Sequence, residues 1–164
     1  MYKIAGYITA MEDKNKKTVA ELLPESIDKN SVFPVGRLDR DTEGLLLFTS
    51  DGDLSHAMAH PNRNMEKTYY VELDREISSE DIEALENGIT LDTNYTALPS
   101  KVEYLSPKSI HLTITEGKYH QVKKMLKAVK NKVIYLKRIK FGNLTLEGMI
   151  PGEVKEIQRE DIIM

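Results

Sequence analysis

Apolar and polar residues alternate most regularly over residues 65–73, with Tyr69, Val71 and Leu73 on one side of an extended chain and Thr68, Tyr70 and Glu72 on the other. A period of two predicts a half-buried strand. The same alternation in Ile110, Leu112 and Ile114 predicts a strand over residues 109–115, joined through Ser106-Pro107 to another over 101–105. Residues 133–141 set Val133, Tyr135, Lys137 and Ile139 against Ile134, Leu136, Arg138 and Lys140, a further strand. The aromatic and β-branched residues of 2–10 around Gly6, and the short apolar run 45–49 behind residues 32–35, read as strands too.

Helical spacing is confined to short stretches. Thr18 is an N-cap candidate before Val19, Leu22 and Leu23, and Ser50-Asp51-Gly52 is a turn able to cap a helix over 55–60. Ser78 opens a helix with Asp81 in its first turn, Ile82 and Leu85 facing inward and Asn87-Gly88 closing it. The longest helix is predicted over residues 119–131, where Val122, Met125, Leu126 and Val129 form an apolar stripe and Lys123, Lys124, Lys127 and Lys130 cover the rest of the circumference. Strands interspersed with a few short helices imply an α+β fold with a mixed, largely antiparallel sheet.

Length and composition narrow the class. A chain of 164 residues suits one compact domain or two small subdomains, and 40% hydrophobic with 30% charged residues suits a folded one. Cysteine is absent, which excludes disulfides, a Cys-ligated zinc site and thiol catalysis. Residues 1–20 carry Asp, Glu and four lysines, unlike a signal peptide, and no run has the length of a transmembrane helix, so a cytoplasmic location and no membrane partner are expected. The net charge of −3 hides a segregation: residues 72–92 hold eight acidic groups and one basic, whereas residues 117–146 hold nine Lys/Arg and no acid. Such a basic stretch in a mildly acidic chain suggests either a polyanion-facing surface or a solvated helix face.

The chemistry gathers at Gly36-Arg37-Leu38-Asp39-Arg40-Asp41-Thr42-Glu43-Gly44, directly before the apolar run Leu45-Leu46-Leu47-Phe48. Charged side chains leading into a buried strand lie at the edge of a core, where carboxylate environments can be tuned. Taken alone, the stretch reads first as a solvated loop held by ion pairs and only weakly as a Mg²⁺ site at Asp39-x-Asp41. His56 and His60 have a metal-ligand spacing, but no glutamate follows His56 and Pro61 ends the helix, so no metal is expected.

Three ordered motifs add up to a resemblance. Gly36-Arg37-Leu38-Asp39-x-Asp41-Thr42-x-Gly44-Leu45 resembles the catalytic motif of the RsuA-type ribosomal RNA pseudouridine synthases. Glu66-Lys67-Thr68-Tyr69 is similar to their tyrosine motif, and Glu116-Gly117-Lys118-Tyr119-His120-Gln121-Val122-Lys123-Lys124-Met125 to their basic-helix motif. Leu136-x-Arg138-x-x-x-Gly142 fits the weaker tail pattern, so the similarity runs from about residue 2 to about residue 160.

The resemblance implies the pseudouridine synthase fold with a central active-site cleft, residues 1–164 forming the catalytic domain. It also implies an isomerase of uridine in RNA with no cofactor and no metal. The N–C glycosidic bond breaks, uracil turns over in the site, and C5 is rejoined to C1′. By the same resemblance Asp39 is the catalytic carboxylate, whether it attacks the sugar, attacks the base or abstracts a proton. Tyr69 packs against the target base, Lys123 pairs with the aspartate, and Arg37 flanks it. Arg37, Arg40, Lys67, Lys118, His120, Gln121, Lys124 and Arg138 are expected to contact RNA. An ionised Asp beside a polyanion needs a fixed cation, and an extruded base needs an aromatic or apolar wall.

The family's Lys-Pro near the start is Lys3-Ile4 here. Members often carry a small S4-type RNA-binding domain ahead of the catalytic one, and none is expected within these residues. Tyr119-His120-Gln121 is closer to the small-subunit (16S) enzymes than to the large-subunit (23S) ones, which tend to have Asn-Arg there. The expected partner is therefore ribosomal RNA, 16S or an assembling small subunit, met by a monomer. Competing readings are a 23S enzyme, a non-catalytic RNA-binding or assembly factor on the same scaffold, and a glycoside hydrolase using Asp39 with Glu43. The last has no need of the basic stretch.

Overall fold

A computed structural model of the chain describes residues 1–92 and 94–163. Its frame is a seven-stranded sheet of β1 (Tyr2–Lys3), β3 (Glu43–Leu45), β8 (Val133–Phe141), β5 (Lys67–Leu73), β7 (Ser109–Ile114) and β6 (Lys101–Ser106) in that order, with β9 (Leu144–Thr145) pairing β8. Neighbouring strands are antiparallel except β3 beside β8. A separate ribbon joins β2 (Phe33–Val35) to β4 (Leu47–Thr49). The α+β class with a largely antiparallel sheet is thus observed.

The period of two in β5 is realised: Tyr69, Val71 and Leu73 are buried, and the strand is paired on both sides, by β7 and by β8. Ile110, Leu112 and Ile114 of β7 and Leu136 of β8 join them in the main core. Onto this face pack Leu85 of α2 (Ser79–Asn87) and Val122, Met125 and Leu126 of α3 (Gln121–Ala128). The Ser78 hydroxyl accepts from the Asp81 N–H and the Asp81 carboxylate from the Ser78 N–H, a reciprocal cap. Helix α1 (Gly52–Ala59) starts earlier than its apolar pattern shows, because the Asp51 carboxylate accepts from the N–H groups of Asp53 and Leu54.

Four expectations are corrected. Residues 2–10 are a strand only at β1. Gly6 turns the chain at φ 100, and beyond it Gly6 N–H donates to the Arg40 carbonyl and Ile8 N–H to that of Lys17. Residues 45–49 are two strands in different sheets, divided at Leu46, whose N–H donates to Met1. The helix over 119–131 is shorter, Gln121–Ala128, because His120 (φ 50) and Lys130 (φ 61) are left-handed and bound it. Residues 18–23 form one 3₁₀ turn, Val19–Leu22.

Candidate active site

The loop between β2 and β3 carries Asp39 and is held from behind by the N-terminal segment. Thr42 N–H donates to the Asp39 carbonyl across a tight turn (3.0 Å). The Lys3 ammonium, wholly buried, donates to the carbonyls of Ile4 (3.2 Å), Asp39 (3.1 Å), Arg40 (3.1 Å) and Thr42 (2.7 Å). Thr9 Oγ1 donates to the Leu38 carbonyl and accepts from the Leu38 N–H. Leu38 and Thr42 are buried, which leaves the Asp39 carboxylate between them at the mouth of a cleft. Burial pulls the Lys3 pKa down to about 8, against the raising effect of Asp41, Glu43 and Asp39.

Opposite the loop stands the start of α3. Lys123 Nζ lies 3.0 Å from Asp39 Oδ2 and donates to Asp41 Oδ1 at 2.9 Å, and His120 Nε2 lies 3.4 Å from Asp39 Oδ1. Burial by itself lowers the Lys123 pKa, but the hydrogen bonds to Asp41 and Asp39 outweigh it and hold the ammonium above its ordinary range. The same bond holds the Asp41 carboxyl below its ordinary range. Lys123 thus occupies the place between two carboxylates that a cation would take, and among the described residues no group of three or more His, Asp or Glu is arranged to hold a metal. His56 and His60 meet edge-on at 5.7 Å, with His60 Nδ1 accepting from the Asn62 N–H.

The floor of the cleft is apolar. Tyr69, Ile114, Val122 and Leu136 line it, with Arg37, Lys118 and His120 at the rim. Tyr69 is only 9% exposed, so its ring is a wall rather than a surface group. Glu43 accepts a hydrogen bond from the Tyr135 hydroxyl and is not among the cleft residues, so it forms no carboxylate pair with Asp39 there and the glycosidase geometry is absent. The arrangement suits a flat, uncharged ring set against Tyr69 with its attached sugar beside the Asp39 carboxylate.

Three of the residues expected to contact RNA are engaged by the protein itself. Arg138 is 3% exposed, and its Nε donates to the Leu45 carbonyl, tying β8 to β3. Gln121 is buried; its amide donates to Glu116 and accepts from the Lys118 N–H. Lys67 Nζ donates to the carbonyls of Thr115 and Glu116, and burial followed by the nearby Arg138 lowers its pKa. Lys67 and Gln121 hold the loop and strands around the cleft because carbonyls and a carboxylate take their donors, whereas Arg138 spends Nε on Leu45 and keeps its buried Nη2 without a partner. Arg37, Arg40 and Lys118 are exposed and Lys124 is half-buried. Lys3, Thr42 and Tyr119 are not among the site residues that the sequence predicts. A lysine in a two-residue strand carries no sign of its burial, whereas Thr42 stood inside the motif and has a buried hydroxyl without a partner.

Residues 1–128 match the family model described as RNA pseudouridylate synthase. The chain is 46% identical over 167 residues to the uncharacterized RNA pseudouridine synthase YtzG of Bacillus subtilis, covering 99% of this chain and 70% of that protein. It is 37% identical over 162 residues to ribosomal small subunit pseudouridine synthase A of Escherichia coli, covering 98% and 70%. A crystal structure of a pseudouridylate synthase superposes with a TM-score of 0.91 at 34% identity, over 98% of this chain and 70% of that one.

Proposed function

Because this chain belongs to the RNA pseudouridylate synthase family, we propose that it converts a uridine of small-subunit (16S) ribosomal RNA to pseudouridine, with Asp39 as the catalytic carboxylate. The observation that carries the assignment is Asp39, held by Lys123 at 3.0 Å, at the mouth of a cleft walled by the buried Tyr69. A uridine taken out of its stack enters that cleft and places its base on Tyr69 and its C1′ near Asp39. The N1–C1′ bond breaks, uracil turns, the C5–C1′ bond forms, and the C5 proton is lost while N1 gains one. Lys123 sets a fixed positive charge beside the Asp39 carboxylate, which offsets the negative potential of the approaching RNA. Arg37, Arg40, Lys118 and Lys124 hold phosphates, contacts that give affinity with little sequence information. The small-subunit substrate rests on the Escherichia coli relative's name and on Tyr119-His120-Gln121. Residues 1–164 act as one catalytic domain and as a monomer in the cytoplasm.

The test is the pseudouridine content of a 16S rRNA transcript, free and in protein-bound particles, after treatment with wild type or Asp39→Ala. Product from wild type and none from the variant is expected. RNA binding without product on any ribosomal substrate would leave the non-catalytic reading in its place.

A further inference from the structure

Beside the Asp39 cleft lies a second groove of about 300 Å³, lined by Leu91, Tyr95, Lys118, Tyr119 and Lys124. The Tyr119 ring is 74% exposed, so it contributes little to the core. It is nevertheless ordered by its neighbours: it stacks on His120 with centroids 3.8 Å apart and planes 16° from parallel. His120 itself reaches Asp39 Oδ1 at 3.4 Å, so the stack begins at the site of chemistry and ends in solvent. Lys124 Nζ lies 5.3 Å from the Tyr119 centroid, and Lys118 Nζ lies 4.8 Å from that of Tyr95. The Lys124–Asp92 pair is loose at 3.8 Å, which leaves that ammonium able to turn to another anion.

A flat exposed ring flanked by two ammonium groups offers what a nucleotide in a single strand requires, a stacking face and phosphate partners. Extruding one base into a pocket also leaves its neighbour without a stacking partner. We propose that Tyr119, backed by His120 and flanked by Lys118 and Lys124, is a second nucleotide subsite that stacks the base adjacent to the target uridine. The proposal rests on the RNA-modifying reading above and extends it to how the strand is held on either side of the chemistry.

The test reads binding without turnover. Wild type, Tyr119→Ala and Tyr119→Phe are titrated with a fluorescein-labelled single-stranded RNA decamer carrying one central uridine. The probe is used intact and with an abasic ribose one position 5′ or 3′ of that uridine. Tyr119→Ala should lower affinity for the intact strand about 5- to 150-fold, the range of one lost base–aromatic stack, and Tyr119→Phe should bind within about twofold of wild type. On one of the abasic strands wild type and Tyr119→Ala should bind alike. The salt dependence should be unchanged in Tyr119→Ala and shallower by about 0.7 in log–log slope in Lys124→Ala. Unchanged affinity in Tyr119→Ala, an equal loss on all strands, or no binding by wild type overturns the proposal. Tyr119-dependent stacking here with no pseudouridine in the 16S rRNA assay above sinks the enzyme reading and leaves the subsite. Pseudouridine formation with an indifferent Tyr119 does the reverse.

Discussion

The Lys3 ammonium joins two opposing effects in one group. Burial disfavours its charge, while the carbonyls of Ile4, Asp39, Arg40 and Thr42 depend on its N–H donors for partners. Its folded pKa, about 8, lies below the ordinary 10.5, so between those values the unfolded chain binds the proton that the folded chain releases. Stability from this group therefore rises with pH across that window, and the cost of the buried charge is fully present below it. Turnover should move the other way, falling above pH 8 as the amine loses a donor to the Asp39 loop. Single-turnover rates and urea midpoints measured together from pH 6.5 to 10 should diverge in wild type, and Lys3→Met should abolish the divergence. At Lys123 a different balance holds, since its pairs are partly exposed and worth at most about 1 kcal/mol to the fold. Lys123→Met should leave the melting temperature almost unmoved yet lower the single-turnover rate by about 10²–10³, the usual loss for a preorganised charge partner. A rate within about threefold of wild type would remove Lys123 from the chemistry.

Among the elements, the β3–β8 contact sets the position of the catalytic loop. β3 is three residues long, and the loop leads straight into it. At Gly44 (φ 114) an added Cβ would meet the Arg138 backbone oxygen at 2.1 Å, so the parallel approach to β8 is possible only without a side chain. Arg138 then closes the contact from the other strand through its bond to Leu45. Gly44→Ala incurs a conformational cost of about 1–3 kcal/mol before any clash is relieved, and in a domain of this size that lowers the melting temperature by several degrees at least. Melting curves of Gly44→Ala and of a surface control such as Gly148→Ala, which also has φ above zero but open space around its Cβ, separate the clash from the φ strain. Equal melting temperatures would show that the close approach is unimportant.

At the scale of the whole molecule, charge is sorted along the sheet. The acidic α2 packs against the edge strand β6, whereas the cations of α3 and the loop before it surround the cleft. The net charge of −3 then repels RNA from most of the surface while the cleft attracts it. If Arg37, Arg40, Lys118 and Lys124 each meet one phosphate, affinity for single-stranded RNA should fall with salt at a log–log slope of roughly −3. A slope near zero would mean that these side chains do not hold the backbone.

Periodicity and local motifs by themselves determined the buried faces of β5 and β7, the cap at Ser78 and the antiparallel α+β character, while the grouping of Asp39, Tyr69 and Lys123 came from the resemblance of three separate motifs to a known family. Each of these depends on side-chain alternation, short-range hydrogen bonds or a contiguous motif, all of which are written along the chain. Only the tertiary structure decided that residues 2–10 brace the Asp39 loop, that residues 45–49 divide between two sheets, and that helix α3 begins two residues after Tyr119. The same holds for Arg138, Gln121 and Lys67, whose charge or amide suggests a surface until each is found bonded to a protein acceptor. A polar side chain has the same sequence signature whether it faces water, RNA or a buried acceptor. Which of these it meets depends on residues distant in the chain, as Lys3 shows by binding carbonyls 36 to 39 positions away.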